Sequence, residues 1–264
     1  MPFGIKFKGE EKITPRKELL PMRIDNFDKL LEKGGVERGS TLMVAGGCGA
    51  GKSTFCMDSV YHSILEGERA VYITFEEQAS KLRKHMLENF NWDMDKLEKE
   101  NKFALIRSDP FKIARSVEAF LAERKGDLLV EVQEIQLPFT PDRIIIDSLS
   151  ALSVAFMGNV ENYRYYIRYM FEMLEKYDSV NYIISETTSD PGVYSRSGIE
   201  EFLSDGVIVL YNKLVGNRRE RSLEILKMRC CDHVKQLVPF KLVSGKGVSI
   251  ELSKEVREEI AGWK

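Results

Sequence analysis

The sequence predicts an α/β protein with a mostly parallel sheet, flanking helices and antiparallel strands at its C-terminal edge. Through the first part of the chain, short apolar segments alternate with segments of helical period, as parallel βαβ units require. Beyond residue 205, apolar segments follow one another without helices between them, which indicates antiparallel pairing. The length of 264 residues suits one large α/β domain or two small ones.

Each predicted element follows from the period of its apolar residues and from the breakers beside it. The first strand covers 41–45, and glycines at 46–51 separate it from a helix over 52–66. The next elements are a strand at 70–75, a helix at 78–89, a strand at 102–106 and a helix at 111–123. The later elements are strands at 143–147, 182–185, 206–210, 221–229 and 247–252, and a helix at 162–177. Residues 127–138 fit either period.

The two ends of the chain differ from the part between them. Residues 1–21 are polar, contain three prolines and lack a long period, so we expect an N-terminal extension before a domain over 22–252. Residues 253–264 have Val256, Ile260 and Trp263 on one side of a short amphipathic helix, which we expect to dock on its own domain.

Composition excludes several classes of protein. With 39 Lys and Arg against 41 Asp and Glu, the net charge of −2 argues against general coating of nucleic acid. No apolar run approaches the ~20 residues that span a bilayer, and residues 1–12 do not resemble a secretory signal. The four cysteines show no zinc-site spacing, so we expect free thiols and a cytoplasmic location, without membrane insertion.

A phosphate-binding loop, the P-loop, is predicted from Gly46 to Ser53, which fits G-x-x-x-x-G-K-[ST] between a strand and a helix. Its backbone N–H groups and the helix N-terminus would hold the phosphates of a nucleotide. Lys52 would reach the β- and γ-phosphates, and the Ser53 hydroxyl would bind Mg²⁺. The predicted nucleotide-binding residues are Gly46, Gly47, Cys48, Gly49, Ala50, Gly51, Lys52, Ser53 and Thr54.

Three acidic residues follow buried strands. Asp147 ends the buried-type run 143–146, where a carboxylate at the carboxyl end of a parallel strand can hold Mg²⁺, directly or through water. Capping of the next helix is the alternative role. Glu76 and Glu77 follow the strand at 70–75, and if that strand neighbours the P-loop strand, one of them would face the γ-phosphate and polarise water. Surface acids without a catalytic role are the alternative.

Together these residues resemble the KaiC-like branch of the RecA superfamily of ATPases. Thr74-Phe75-Glu76-Glu77 is similar to the end of that family's catalytic strand, and the resemblance runs from about residue 22 to 250. The other similar segments are Phe27-Asp28 with Leu30-Leu31, Gly34-Gly35, Gly39, Phe90-Asn91-Trp92-Asp93, 143–148, 198–207, 221–229, His233 and Pro239-Phe240.

The resemblance implies a RecA-like core that forms a homo-oligomer, either a hexameric ring or a filament, with Mg²⁺ and ATP at subunit interfaces. Glu77, with Glu76, would then orient water, while Lys227 and Arg229 would reach the neighbouring subunit's γ-phosphate. Such cations supplied in trans can accelerate phosphoryl transfer by about 10³–10⁵-fold. The residues alone place Lys227 and Arg229 on one face of a strand, and a solvated face is the simplest reading. The sequence departs from the family at Cys230-Cys231-Asp232, where Gly and a small hydroxyl residue are common.

Two other functions stay open. A DNA-repair paralogue of the RecA type would bind single-stranded nucleic acid through loops at 157–160 and 189–197, the latter containing Tyr194 and Arg196. A nucleotide-switched scaffold would bind a protein partner with little hydrolysis. The presence of both Glu76 and Glu77 favours hydrolysis over binding alone.

Overall fold

A computed structural model describes residues 5–7, 18–123, 135–187, 193–195 and 197–263. The helices within them are α1 Lys52–Leu65, α2 Ala79–Phe90, α3 Met94–Lys99, α4 Pro110–Glu123, α5 Leu149–Ala155, α6 Val160–Glu175, α7 Glu200–Leu203 and α8 Lys254–Ala261. The strands are β1 Ile5–Phe7, β2 Leu19–Leu20, β3 Val36–Glu37, β4 Thr41–Gly46, β5 Ala70–Thr74, β6 Phe103–Arg107, β7 Ile135–Leu137, β8 Arg143–Asp147, β9 Val180–Glu186, β10 Gly206–Val215, β11 Arg218–Met228, β12 Val238–Val243 and β13 Gly247–Ile250.

One large sheet organises the described part of the chain. Its strand order is β13-β12-β11-β10-β4-β9-β8-β5-β6. The strands from β10 to β6 are parallel neighbours, whereas β10 to β13 pair as antiparallel neighbours. The predicted fold class is therefore confirmed, with the P-loop strand β4 at the centre of the sheet.

Two large hydrophobic cores cover the two faces of this sheet, and a small third cluster is formed by residues of β4 and β10. On one face, Phe55 and Val60 of α1 pack with Leu82 of α2 and with alternate residues of the central strands. On the other face, Leu149 and Leu152 of α5 pack with the apolar side of α6. Tyr163, Tyr166 and Ile167 belong to this second core, because helical spacing places them on one stripe of α6.

The predicted elements differ from the observed ones mainly where segments are short. The elements α3, α5, α7, β3 and β12 were not predicted, and β10 and β11 are longer than predicted. Part of the predicted N-terminal extension is ordered as strand, since β1 pairs with β7 and β2 pairs with β3. Residues 135–137 of the ambiguous segment form β7, while residues 127–134 lie outside the described residues.

The C-terminal helix α8 packs on the chain's own domain, as predicted. Ser253 caps the helix by accepting from the Val256 N–H, and Val256 is buried. Ile260 and Trp263 pack against the same core from partly exposed positions. The apolar side of this helix is thus used within the chain.

A buried arginine ties the start of β8 to its surroundings. Arg143 is fully buried, and its guanidinium pairs with Glu68 at 2.7 Å. It also donates to the Tyr182 hydroxyl at 2.5 Å and to the Pro21 carbonyl at 2.8 Å. This network lies at the opposite end of the strand from Asp147.

A histidine–aspartate pair gives α1 a pH-dependent contact. His62 Nδ1 lies 2.7 Å from Asp58 Oδ1, and this hydrogen bond raises the pKa of His62 above its ordinary 6.5. The pair therefore stabilises the fold below about pH 6.5, and this contribution is lost as the pH rises through the higher folded pKa. We expect His62→Gln to remove that dependence, measured as urea unfolding free energy between pH 5.5 and 8.5. An unchanged pH dependence in the variant would contradict the assignment.

Candidate functional site

The P-loop connects β4 to α1 at the centre of the parallel sheet. Gly46 has no room for a side chain, since a Cβ would lie 2.5 Å from the Leu210 carbonyl oxygen. Gly51 precedes α1 with φ of +98°, a conformation that favours glycine. These two positions explain why the loop has glycine at both ends.

Inside the P-loop, two donors converge on one carbonyl. Lys52 Nζ donates to the Gly47 oxygen at 3.1 Å, and the Ala50 N–H donates to the same oxygen at 3.3 Å. Cys48 is exposed at the top of the loop. Thr54 lies in the first turn of α1, directly after Ser53. The loop is thus a compact turn with the lysine folded over it.

The antiparallel hairpin of β10 and β11 holds the middle of the P-loop. Asn212 Nδ2 donates to the Gly49 oxygen at 3.3 Å, and Arg221 donates to it from Nε at 3.3 Å and from Nη2 at 3.1 Å. Asn212 and Arg221 are register partners in the hairpin. These contacts were not predicted, because the first of the two strands was expected to end at residue 210 and extends to Val215.

Ser53 and Asp147 lie together below the loop. The Ser53 hydroxyl donates to Asp147 Oδ2 at 2.8 Å, and the Tyr72 hydroxyl donates to the same oxygen. Burial raises the pKa of Asp147, while the hydrogen bonds from Tyr72 and Ser53 act in the opposite direction. Tyr72 was not foreseen, since a tyrosine inside an apolar strand carries no signal of its own.

This donor set fits Mg²⁺. A hydroxyl and a carboxylate oxygen are hard donors, and Mg²⁺ commonly takes one or two carboxylates and completes its shell with phosphate oxygens and water. Among the described residues there is no group of three or more His, Cys, Asp or Glu side chains arranged for a metal. A Mg²⁺ ion carried in with a nucleotide does not need such a group.

The two adjacent glutamates point to different partners. Ser148 donates its hydroxyl to Glu76 Oε1 at 2.9 Å, whereas Glu77 Oε1 lies 3.2 Å from His85 Nδ1. Burial raises the pKa of Glu76, and the charges of Glu186 and Asp147 raise it further. Glu76 therefore belongs to the acidic group around Asp147, while Glu77 faces α2.

The strand that precedes these glutamates is not a neighbour of the P-loop strand. β5 pairs with β8 and β6, and β8 and β9 separate it from β4. The expectation that Glu76 or Glu77 faces the γ-phosphate from a strand next to β4 is thus not met. Glu76 approaches Asp147 because β5 and β8 are register partners, with Thr74 opposite Asp147.

Ser148, Ser150 and Glu186 complete this part of the site and were all missed. Ser148 caps α5 by accepting from the Ala151 N–H, and Ser150 accepts from the Glu186 N–H at 2.8 Å. The only sequence signal was a serine after the strand-ending aspartate, which is a common helix N-cap. Asp147 does not cap this helix; Ser148 does.

Lys227 and Arg229 lie together at the short helix α7. Lys227 Nζ donates to the carbonyl oxygens of Glu201, at 3.1 Å, and Ser204, at 2.5 Å. Arg229 pairs with Asp205 at 2.9 Å and donates to the Phe202 carbonyl. Burial and the neighbouring Arg229 lower the pKa of Lys227. Within the chain, both cations thus bind α7 and its following turn.

The two loops considered for nucleic acid are described only in part. Met157 is exposed between α5 and α6, Val160 is exposed at the first position of α6, and Tyr194 is half-buried. Residues 188–192 and Arg196 lie outside the described residues. None of the described helices is both long and apolar enough to cross a membrane.

We expect Asp147→Asn to raise the free energy of unfolding of the nucleotide-free chain. Burial raises the pKa of Asp147 in the folded chain, so its charged form is less favourable there than in the unfolded chain. The folded chain therefore loses stability as the pH rises from the ordinary pKa of an aspartate through the higher pKa of Asp147 in the folded chain. The variant removes that charge, and it should also abolish the stabilisation that Mg²⁺ adds to ATP. Thermal unfolding with ATP and either Mg²⁺ or EDTA measures both effects; a less stable variant that still responds to Mg²⁺ would contradict the assignment.

Comparison with known proteins agrees with this geometry. A family model described as "ATPase: KaiC" matches residues 20–255. The circadian clock protein KaiC3 of Synechocystis sp. is 30% identical over 233 residues, which cover 88% of this chain and 45% of the relative. The circadian clock oscillator protein KaiC of Acaryochloris marina is 29% identical over 249 residues, covering 93% and 46%. The chain thus spans about half the length of these curated relatives.

A solved structure is similar over a larger share of its own chain. The crystal structure of a KaiC-like protein from the hyperthermophilic archaeon Pyrococcus horikoshii OT3 superposes with a TM-score of 0.72 at 29% identity. The match covers 89% of this chain and 100% of that one. With the family model matching most of the chain and the P-loop seated in a RecA-type sheet, this chain belongs to the KaiC family of P-loop ATPases within the RecA superfamily.

Proposed function

We propose that this chain binds Mg²⁺·ATP and hydrolyses it as a homo-oligomer, in the cytoplasm. The observation that supports hydrolysis most directly is the convergence of Ser53, Asp147 and Glu76 below the P-loop lysine. A site for binding alone needs the first two oxygens but has no use for a further carboxylate beside Asp147. The cytoplasmic location is supported by the cysteines at 48, 56, 230 and 231, which are all free.

The P-loop would hold the phosphates. Backbone N–H groups from Gly47 to Ser53 and the N-terminus of α1 favour an anion there. Lys52 would leave the Gly47 carbonyl and reach the β- and γ-phosphates. Ser53 and Asp147 would hold Mg²⁺, which supplies charge neutralisation at the phosphates when bound.

The base end of the nucleotide has room beside the hairpin. An open cleft next to the P-loop is lined by residues of β11 and β12 that include Arg221, Phe240 and Leu242. Leu242 also packs over Gly51, since a Cβ there would lie 3.1 Å from its Cδ1. A nucleotide whose phosphates lie in the P-loop would extend its ribose and base into this cleft.

The acidic side chains would act on the attacking water. Glu77, with Glu76, would orient a water molecule in line with the γ-phosphate. The water oxygen bonds to phosphorus, the bond to the bridging oxygen of the departing ADP breaks, and one water proton passes to a carboxylate. Lys52 would stabilise the charge that develops on the phosphoryl oxygens.

Assembly would supply the remaining cations. The family resemblance implies that Lys227 and Arg229 reach the nucleotide of the next subunit in a hexameric ring or filament. Within one chain they bind α7 and Asp205, and the Arg229 side chain is 51% exposed. Hydrolysis would therefore depend on assembly.

One experiment tests assembly and turnover together. Size-exclusion chromatography with light scattering, with and without Mg²⁺·ATP, should show an oligomer, and a phosphate-release assay should show turnover that EDTA removes. Assembly without turnover would contradict hydrolysis and favour a nucleotide-switched scaffold for a protein partner. A salt-dependent gel shift with a short single strand would favour the nucleic-acid alternative.

A further inference from the structure

Glu77, one of the two acids proposed to orient water, is contacted by residues that do not belong to the acidic group around Asp147. Its backbone N–H donates to Thr74 Oγ1 at 3.2 Å, and the same hydroxyl donates to the Glu77 carbonyl at 3.3 Å. The backbone is therefore fixed, so the direction of the carboxylate is decided by the side chain alone. Among the described residues, the group that pairs with that carboxylate is His85.

His85 reaches Glu77 from the second turn of α2. Its Nδ1 lies 3.2 Å from Glu77 Oε1, and the exposed fractions of the two side chains are 56% and 36%. By contrast, Glu76 is held by the buried Ser148 hydroxyl, and its pKa responds to Lys52, Asp147 and Glu186. The two neighbouring acids thus differ in their contacts rather than in burial: Glu76, the inner acid, contacts Ser148 next to Asp147, and Glu77, the outer acid, contacts α2, although Glu76 is exposed and Glu77 half-buried.

The outer position matters for the chemistry. A carboxylate acts on a water molecule only within hydrogen-bond reach of it. Glu77 paired with His85 makes no hydrogen bond to the P-loop, to Ser53 or to Asp147 within the part of the chain that the structure describes. Turnover that uses Glu77 is then reduced by the fraction of molecules in which the pair is closed.

We propose that His85 is a positioning residue that holds Glu77 away from the phosphate crevice, so that hydrolysis requires the pair to open. This inference rests on the proposed hydrolysis of ATP and adds a restraint to it. An exposed pair is weak, so it opens readily and limits the rate only by a small factor. Breaking the pair should raise kcat, because Glu77 then spends more time near the nucleotide, while KM should stay unchanged because nothing that binds ATP is altered.

Three variants separate this role from a general effect on the helix. His85→Leu removes the imidazole that pairs with Glu77 and should raise kcat about two- to fivefold with KM unchanged. His85→Asn keeps an N–H near the position of Nδ1 and should restore turnover close to that of the natural chain. Lys84→Gln removes a cation from the same turn, which pairs with Glu88 rather than Glu77, and should leave kcat unchanged.

A second measurement follows the pair itself and does not depend on turnover. The ¹⁵N shifts of the His85 ring, assigned by their absence in His85→Asn, should change when Glu77 is replaced by glutamine. Equal shifts in the two proteins would overturn the pairing. Equal or lower kcat in His85→Leu, or a rise of the same size in Lys84→Gln, would overturn the positioning role while leaving the proposed function standing. Absence of turnover in the natural chain and every variant would overturn the proposed function, and the positioning role with it.

Discussion

The Glu77→Gln variant is expected to bind Mg²⁺·ATP with unchanged affinity and to lose turnover by roughly 10²–10⁴-fold. Glutamine keeps the size of the side chain but cannot accept a proton, so only the step that needs a base is removed. The Glu77 side chain makes no contact with the P-loop within the described residues, so nothing in the phosphate site should move. Nucleotide affinity by fluorescence titration and phosphate release under saturating ATP measure the two quantities separately.

Two further variants show which acid matters. Glu76→Gln tests the inner acid, which lies beside Asp147. A larger loss of turnover in Glu76→Gln than in Glu77→Gln would make Glu76 the principal base. Glu88→Gln, an exposed acid on α2, should leave turnover unchanged. Full activity in both Glu77→Gln and Glu76→Gln would contradict carboxylate-assisted hydrolysis.

The Arg143→Met variant is expected to lose about 3–5 kcal/mol of unfolding free energy. Methionine fills much of the volume, but Glu68, whose side chain is only 12% exposed, loses its partner at 2.7 Å and keeps only Arg23 at 3.6 Å. The Tyr182 hydroxyl and the Pro21 carbonyl also lose a donor. Urea unfolding followed by circular dichroism measures the change.

A double variant separates the loss of the Arg143–Glu68 ion pair from the cost of leaving the Glu68 charge buried without Arg143. Replacing Arg143 and Glu68 together with methionine should recover a large part of the loss, because replacing a buried pair by apolar residues is often nearly neutral. Arg257→Met, an exposed arginine on α8, should change stability by no more than about 0.5 kcal/mol. If Arg143→Met were as stable as Arg257→Met, the network at the start of β8 would contribute nothing.

The parts of the site that could be predicted are those whose chemistry is local in sequence. The spacing from Gly46 to Ser53 fixes a loop, and Asp147 ends a strand with four buried residues before it. Each signal lies within one strand and its following turn. The fold class could be predicted for the same reason, since the alternation of periods is visible along the chain.

The parts that could not be predicted depend on contacts between distant segments. Tyr72 and Ser148 reach the site because β5 lies beside β8, and no local pattern sets the order of parallel strands. His85 was read only as part of a helix, since its partner depends on where α2 begins relative to β5. The helices α3 and α5, of six and seven residues, are too short for a period to show.

The three hydrogen bonds from Asn212 and Arg221 to the Gly49 carbonyl make the P-loop depend on the β10–β11 hairpin. The antiparallel strands come late in the chain and form one edge of the sheet. From this position alone, one would expect that they can be shortened or replaced without an effect on the nucleotide site. Yet they supply the donors that fix the midpoint of the loop between β4 and α1. Replacing the β10–β11 hairpin with that of another protein would therefore change the affinity for nucleotide, even though every residue of the P-loop stayed the same.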